Sequence, residues 1–424
     1  MIICPIPFSN SFGGRDNAGA SYVIQALQCT GENVQAIPND IKCVQKFLKN
    51  NLLGSIKAVS APNAGYLLQC NQKTKNIFYV LKRTLNKCEA LGENIFKKYK
   101  IKTILLWDDP LGQFTNEIIN TFEKYNKNRK GVLKTLKNYF CDWPCVHISW
   151  DSGHMDWVKQ LKIVEENKIK YNPLLFPYDF ENKNEKRICE WNLSFVGNLY
   201  TNTIKNDKYF SQPRLVDACE FIKQEVLPFS KNERISIIKN AYKEFINKSS
   251  KIPEDECFFW NFYRNINWAF INTIRRQEIL EGISTEIYYF GNFADQNSRF
   301  LLKKNIIFKK NADYFTELPE VYEKSRITLD IVNSLSINGI NGKFYECFAA
   351  NGFMLLDAKK DLDLILGKEL AAKISYSSLE DCQNKVNYFL KNEKEREDLR
   401  QEIKRIVIKN HSPRKWAASI LSYN

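Results

Sequence analysis

The sequence predicts an α/β protein made of two doubly wound, mostly parallel sheets. Three observations predict it. Short apolar, β-branched runs alternate with helical stretches through both halves. Several of these runs end in Gly, Asn or Asp, where open α/β sheets turn toward a ligand. A polar, charged segment, Phe176–Asn192, carries Pro177 and interrupts the alternation once. The length of 424 residues suits two domains. The expected division is 1–180 and 190–410, with a helical insertion at 212–282 in the second domain. Residues 411–424 are expected to form a terminal helix that crosses back to the first.

Composition narrows the class. Hydrophobic residues make up 44%, enough for globular cores. There is no uncharged apolar run of about 18 residues, so no membrane-spanning helix is expected. MIICPIPFSN lacks a basic region and a cleavage pattern, and reads as a strand rather than a signal peptide. The 12 cysteines are scattered, which points to free thiols in a reducing cytoplasm. Cys141, Cys145 and His147 lack zinc-knuckle spacing and have no second pair, so no metal is expected. The net charge of +14 favours an acidic partner: anionic lipid, a phosphorylated glycan, nucleic acid or a nucleotide. Lys and Asn are frequent along the whole chain and no recognition-helix or zinc-finger pattern occurs, so nucleic acid is not the expected partner.

The N-terminal half reads in order as follows. Met1–Pro5 is a strand. Gly13 and Gly14 form a tight, ligand-facing turn, Asp16 or Asn17 caps, and Ala18–Gln28 is helical. Asn33–Ile37 and Ser55–Val59 are strands. Lys102–Pro110 is a buried strand ending in Asp108 and Asp109, which either face the ligand or cap the next helix. Glu117–Phe140 is a basic amphipathic stretch, either a solvated face or a membrane-surface helix. Cys145–Trp150 is a strand followed by Asp151 and His154, read as a general base or as a cap with a structural His. Tyr171–Phe176 is the last strand of this half.

The second half starts with Leu193–Gly197, with Gly197–Asn198 at the strand end. Aromatic-rich helices fill 213–282. Glu286–Gly291 and Asn305–Lys310 are strands, and Thr316–Ser325 is a helix. Ile327–Val332 is a strand, followed by a loop with Gly339 and Gly342, a helix, and the strand Phe353–Asp357. This βαβ unit would place backbone N–H groups at a helix N-terminus, an anion site suited to phosphate. Glu346, read in the first turn of that helix, is better suited to sugar hydroxyls. Loop and acid together suggest a nucleotide held by phosphate and ribose; a dipole-stabilised helix start is the alternative. Ala371–Tyr376 is a strand, Leu379–Lys409 one long helical region, and His411–Leu421 the last helix. Asp361 and Asp363 are read as helix capping rather than a metal pair.

The segment GINGKFYECFAANGFMLLDAKKDL resembles the donor-binding segment of GT-B glycosyltransferases, and within them the CgeB-like (spore maturation protein) branch and its "glycosyl transferases group 1" domain. Lys343, Phe344–Tyr345, Glu346, Gly352, Phe353–Leu356 and Asp357 carry the pattern. LSFVGNLY, LLWDDP, ISWDSGHMDWVKQL and NHSPRKWAASIL are similar to further segments of that family.

The resemblance implies two Rossmann-like domains facing across a cleft, with acceptor on the first and nucleotide-sugar donor on the second. It implies that Glu346 binds the donor ribose and that Lys343 with the Asn341–Gly342 backbone meets the diphosphate. Gly197 and Asn198 would lie near the same phosphates, and Tyr345 belongs to the donor segment. Retaining relatives often carry an acid eight positions before Glu346, where this chain has Asn338. If configuration inverts, a base is required, and Asp16, His154, Asp109 and Asp151 are the candidates, with Gly13 and Gly14 nearby. The expectation is a cytoplasmic glycosyltransferase, peripheral at most on the membrane. It would need no cofactor or metal, and would act on a surface-glycan, lipid-linked or protein acceptor. The alternative is an inactive relative that binds nucleotide or glycan.

Overall fold

The computed structural model describes residues 2–6, 23–38, 57–60, 102–107, 137, 140–176, 180–182, 187–199, 217–222, 231–247, 259, 262–264, 266–291, 305–314 and 316–423. The chain divides into two compact units. One comprises Met1–Pro173, Pro253–Asn261 and Pro413–Asn424; the other comprises Leu174–Ile252 and Phe262–Ser412.

The first unit carries a six-stranded parallel sheet: β1 (Ile2–Ile6), β2 (Val34–Pro38), β3 (Lys57–Ser60), β4 (Lys102–Trp107), β5 (Cys145–Ser149) and β6 (Ile169–Tyr171), in the order β2-β1-β3-β4-β5-β6. Ile104, Leu105, Leu106, Cys145 and Ile148 are buried, the near-continuous apolar content of strands covered on both faces. Helix α1 (Ser152–Leu161) follows β5. The terminal helix of this unit, Pro413–Ser422, starts with Pro at a position where its missing N–H costs nothing. Its Ser419 hydroxyl donates to Asn172 Oδ1 at 2.7 Å.

The second unit has its own six-stranded parallel sheet. Its strands are β7 (Trp191–Val196), β8 (Ile287–Phe290), β9 (Ile306–Lys309), β10 (Ser325–Asp330), β11 (Met354–Asp357) and β12 (Ser375–Tyr376). The order is β12-β11-β10-β7-β8-β9. Counted within this unit it is the 3-2-1-4-5-6 arrangement of dinucleotide-binding sheets, with the strand order reversing between β7 and β10. Leu193, Phe195, Ile327, Met354, Leu355 and Leu356 are all buried in its core. Among the described residues of the β7–β8 connection are α2 (Lys231–Ala241), the π-turn Asn267–Ile271 and α3 (Asn272–Gly282). Further helices among the described residues are α4 (Leu318–Lys324), α5 (Gly342–Ala349), α6 (Lys360–Leu366), α7 (Lys368–Ile374), α8 (Leu379–Lys391) and α9 (Glu393–His411). Among the described residues no helix is long and apolar enough to cross a membrane.

Several elements differ from the sequence reading. The strand expected at Tyr171–Phe176 lies just upstream, at Ile169–Tyr171, where it pairs with His147–Ser149. Ala371–Tyr376 is helical up to Ile374; only Ser375 and Tyr376 pair with β11. Its Ala-Ala-Lys start favours helix over strand. The region Leu379–Lys409 breaks at Asn392 into two helices. His411 ends the second of these and does not start the terminal helix. Asp361 and Asp363 occupy the first turn of α6 rather than its cap, where the helix dipole favours them.

The turn from α5 into β11 depends on two residues. Asn351 adopts a left-handed conformation (φ 69°). Its amide oxygen accepts from Arg400 and from Lys404, and its carbonyl accepts from Arg187 at 3.2 Å. Next to it, a Cβ on Gly352 would stand 2.6 Å from Cys347 Sγ and 3.0 Å from Tyr322 Cβ. Both neighbours are buried and cannot yield without repacking. Gly352→Ala should therefore lower unfolding free energy by about 1–3 kcal/mol, the usual range for overpacking, as measured by denaturant titration.

Candidate functional site

In the second unit the carboxyl ends of β7, β10 and β11 reach one edge together: Leu329 pairs with Phe195, and Asp330 with Leu356. The loop from Ile331 to Asn341 follows β10, and α5 returns from it. Open α/β sheets bind ligands at such a point of strand-order reversal.

The loop is held on all sides. Tyr376 Oη donates to the Asp330 carbonyl at 2.9 Å. Asp357 Oδ1 accepts from the Val332 N–H at 2.7 Å. Lys359 Nζ donates to the Ser336 carbonyl at 3.0 Å, and the Asp361 N–H to the Asn338 carbonyl at 3.1 Å. Asn341 closes the loop as the N-cap of α5. Its side-chain oxygen accepts from the Lys343 N–H at 3.0 Å, while its amide nitrogen donates to Asp330 Oδ2 at 2.9 Å. An Asn cap uses both ends of its amide here, and so fixes the helix start to the end of β10.

Lys343 does something other than project outward. It is 7% exposed, and its ammonium donates to the Val196 carbonyl at 2.7 Å with Asp330 Oδ1 at 3.5 Å. It also stands 5.9 Å from the centre of the Phe195 ring. The side chain thus stitches the start of α5 to the exit of β7. Gly197 makes room for it: a Cβ there would lie 2.9 Å from the Phe195 ring and 3.4 Å from Lys343 Nζ. Gly197 also meets Gly291, whose Cβ would fall 1.8 Å from the Gly197 carbonyl oxygen. That oxygen accepts from Tyr289 Oη at 2.7 Å.

Glu346 lies one turn deeper than the sequence reading placed it, because α5 begins at Gly342. Side chains on a helix lean toward its N-terminus, and the Glu346 carboxylate does so. Its Oε1 is 3.1 Å from where a Gly342 Cβ would stand. The same oxygen accepts from Tyr314 Oη at 2.6 Å. Glu346 is 5% exposed. A carboxylate therefore sits beside a helix N-terminus that the Asn341 side chain caps at the Lys343 N–H.

Two residues that sequence reasoning did not single out enter here. Arg275 of α3 places Nη2 2.6 Å from Asp357 Oδ2 and Nη1 3.2 Å from Ser334 Oγ. Arg276 donates to the Asn198 carbonyl at 2.5 Å. Burial alone would push the Asp357 carboxyl up; the charges of Arg275 and Lys359 hold it below the usual range. No local pattern marks these arginines, since their partners lie far along the chain.

The other expected residues fall as follows. Asn338 is half-buried in the loop. Tyr345 points into the core, its ring 4.9 Å from that of His411. In the first unit Asp151 caps α1: Oδ1 accepts from the Gly153 N–H at 2.8 Å and the His154 N–H at 3.3 Å. His154 Nε2 is 3.6 Å from Asp151 Oδ2, and both residues are buried. Asp16, Asp109, Gly13 and Gly14 lie outside the described residues, as does Asp108. Among the described residues no group of three or more His, Cys, Asp and Glu side chains is arranged to hold a metal.

Residues 268–422 match a family model described as "Glycosyl transferase-like". No curated protein matches the chain. Among solved structures, T4 phage β-glucosyltransferase in complex with UDP and Mn2+ aligns over 100% of this chain and 99% of its own, at TM-score 0.51 and 13% identity. A mutant of that enzyme in complex with UDP-glucose aligns over the same shares at TM-score 0.50 and 13% identity. The fold is GT-B. Anabaena HepE in complex with UDP-glucose aligns over 100% of this chain and 98% of its own, at TM-score 0.49 and 8% identity.

His411, packed on Tyr345 behind this site, gives a pH signature. Burial lowers its pKa from 6.5 to about 4, with its hydrogen bond to the Leu174 backbone opposing. Burial also lowers that of His147, to about 3, aided by Lys168. Both stay neutral in the fold while the unfolded chain takes up protons below about pH 6.5. Their stabilisation is present above that pH and is lost as pH falls toward 4 and below. Thermal melts between pH 7 and 4 should show falling stability, with a shallower fall in His411→Phe.

Proposed function

We propose that this chain is a glycosyltransferase whose second unit binds a UDP-sugar donor. The observation that carries the reading is the buried Glu346 carboxylate folded back over the N-terminus of α5, at the strand-order reversal of a GT-B sheet. The glycosyl transferase-like match over residues 268–422 supports it, since that segment contains α5 and its loop. The uridine nucleotide is proposed from the T4 phage enzyme, whose structures hold UDP and UDP-glucose.

In this reading the ribose hydroxyls donate to Glu346, replacing or sharing the Tyr314 hydroxyl. The diphosphate meets the N–H groups at the start of α5, where the helix dipole favours negative charge. Glycosyl transfer loses a nucleoside diphosphate, so stabilising that charge lowers the barrier directly. Lys343 supplies positive charge from beneath, paired with Asp330, rather than a free arm. Gly197 and Asn198 line the β7 side. Catalysis is proposed to need no metal, although the T4 enzyme structure holds Mn2+ beside UDP. The acceptor is proposed to be a surface glycan, a lipid-linked sugar or a protein. A net charge of +14 suits an anionic one, and the protein would work in the cytoplasm, at most peripheral on a membrane. Within the glycosyltransferases, the CgeB-like branch is the proposed placement.

Thermal stabilisation against UDP-, GDP-, dTDP- and CMP-linked compounds tests this first. UDP and UDP-sugars should raise Tm, with Glu346→Gln weakening UDP binding about tenfold, equivalent to about 1.4 kcal/mol. Slow hydrolysis of the bound UDP-sugar should persist in EDTA. No shift with any of these compounds would count against the reading, and binding without turnover would mark an inactive relative.

A further inference from the structure

The helix that leads into β8, α3, presents a buried polar face. Asn272, Arg275 and Arg276 are all at most 7% exposed. Adjacent residues on a helix diverge by about 100°, since a turn holds 3.6 residues. Arg275 and Arg276 therefore reach different targets from one rigid element. Arg275 engages the loop after β10: its Nη1 lies 3.5 Å from the Val332 carbonyl and 3.2 Å from Ser334 Oγ. Its Nη2 bonds Asp357, whose second oxygen accepts from the Val332 N–H at 2.7 Å. One ion pair thus holds both backbone polar groups of Val332, its N–H and its carbonyl. Asn272, one turn earlier, accepts from the Ser334 N–H at 3.4 Å. Arg276 engages the exit of β7 through the Asn198 carbonyl, its guanidinium carbon 5.9 Å from the Phe195 ring centre. Lys343 lies the same distance from that ring.

We propose that Arg275 and Arg276 are positioning residues for the donor: α3 braces the β10 loop with one and the β7 exit with the other, and so fixes the spacing of the two loops that flank the strand-order reversal. This rests on the reading of the second unit as a UDP-sugar site. Stability alone does not require such an arrangement. A buried Arg–Asp pair gives up hydration on both sides, and an apolar pair of similar volume often stabilises a core as well or better. What the apolar pair cannot do is hold the Val332 peptide and Ser334 in place. Lysine in place of either arginine loses the planar fork that spans two acceptors at once.

The test is UDP titration of the full chain, with hydrogen exchange followed over residues 331–341 and 197–199 without ligand. The double variant Arg275→Met with Asp357→Leu should melt near the wild-type temperature and yet bind UDP at least tenfold more weakly. Arg276→Lys, a milder change, should weaken UDP binding severalfold. In both, amide exchange in the adjoining loop should quicken about tenfold. Arg396 of α9 is buried, donates to the Phe389 carbonyl at 2.6 Å and lies 3.6 Å from Glu397; Arg396→Lys should change Tm but neither UDP affinity nor loop exchange. Unchanged affinity and exchange in the double variant and in Arg276→Lys would overturn the proposal, as would equal losses in Arg396→Lys. Failure of the wild type to bind UDP while the loops still loosen in the variants would overturn the donor reading and leave the bracing role standing.

Discussion

The junction of β7, β10 and α5 depends on one buried contact, the Lys343 ammonium held between the Val196 carbonyl and the Asp330 carboxylate. It joins residues 147 positions apart at the strand-order reversal of the second sheet. Asp330 at the same time takes the side-chain amide of Asn341, so the cap of α5, the end of β10 and the exit of β7 share one set of polar groups. Removing one partner would leave a buried charge exposed to the cost of lost pairing. The orientation of α5, and with it the place of Glu346, follows from this contact.

Charge balance around the junction is local. Lys343, Lys359, Arg275 and Arg276 are buried there together with Asp330, Asp357, Asp361 and Glu346. Selectivity for a diphosphate would come from oriented backbone N–H groups and a helix end, which survive salt better than surface lysines do.

The βαβ unit was legible in the sequence because its strands are short apolar runs punctuated by glycines; Glu346 was read in the first turn of its helix and lies beyond that turn in α5. Lys343 was legible as a cation but not as an inward one, since its partners Val196 and Asp330 lie on other strands. Arg275 and Arg276 were not legible at all. They sit in a region read only as helical and aromatic-rich, and their partners lie 57 to 82 residues away. The strands at Ile169–Tyr171 and Ser375–Tyr376 were misplaced for a related reason. A strand of two or three residues is set by the neighbour it pairs with, not by its own period.

The central claim is that Glu346 and the start of α5 hold the two halves of a nucleoside diphosphate. A crystal structure of the full chain with UDP measures this most directly. The account predicts a ribose hydroxyl within hydrogen-bonding distance of Glu346 and a diphosphate oxygen on the N–H groups at the start of α5. UDP bound away from α5, with the Glu346 carboxylate still closed on the Tyr314 hydroxyl, would contradict it.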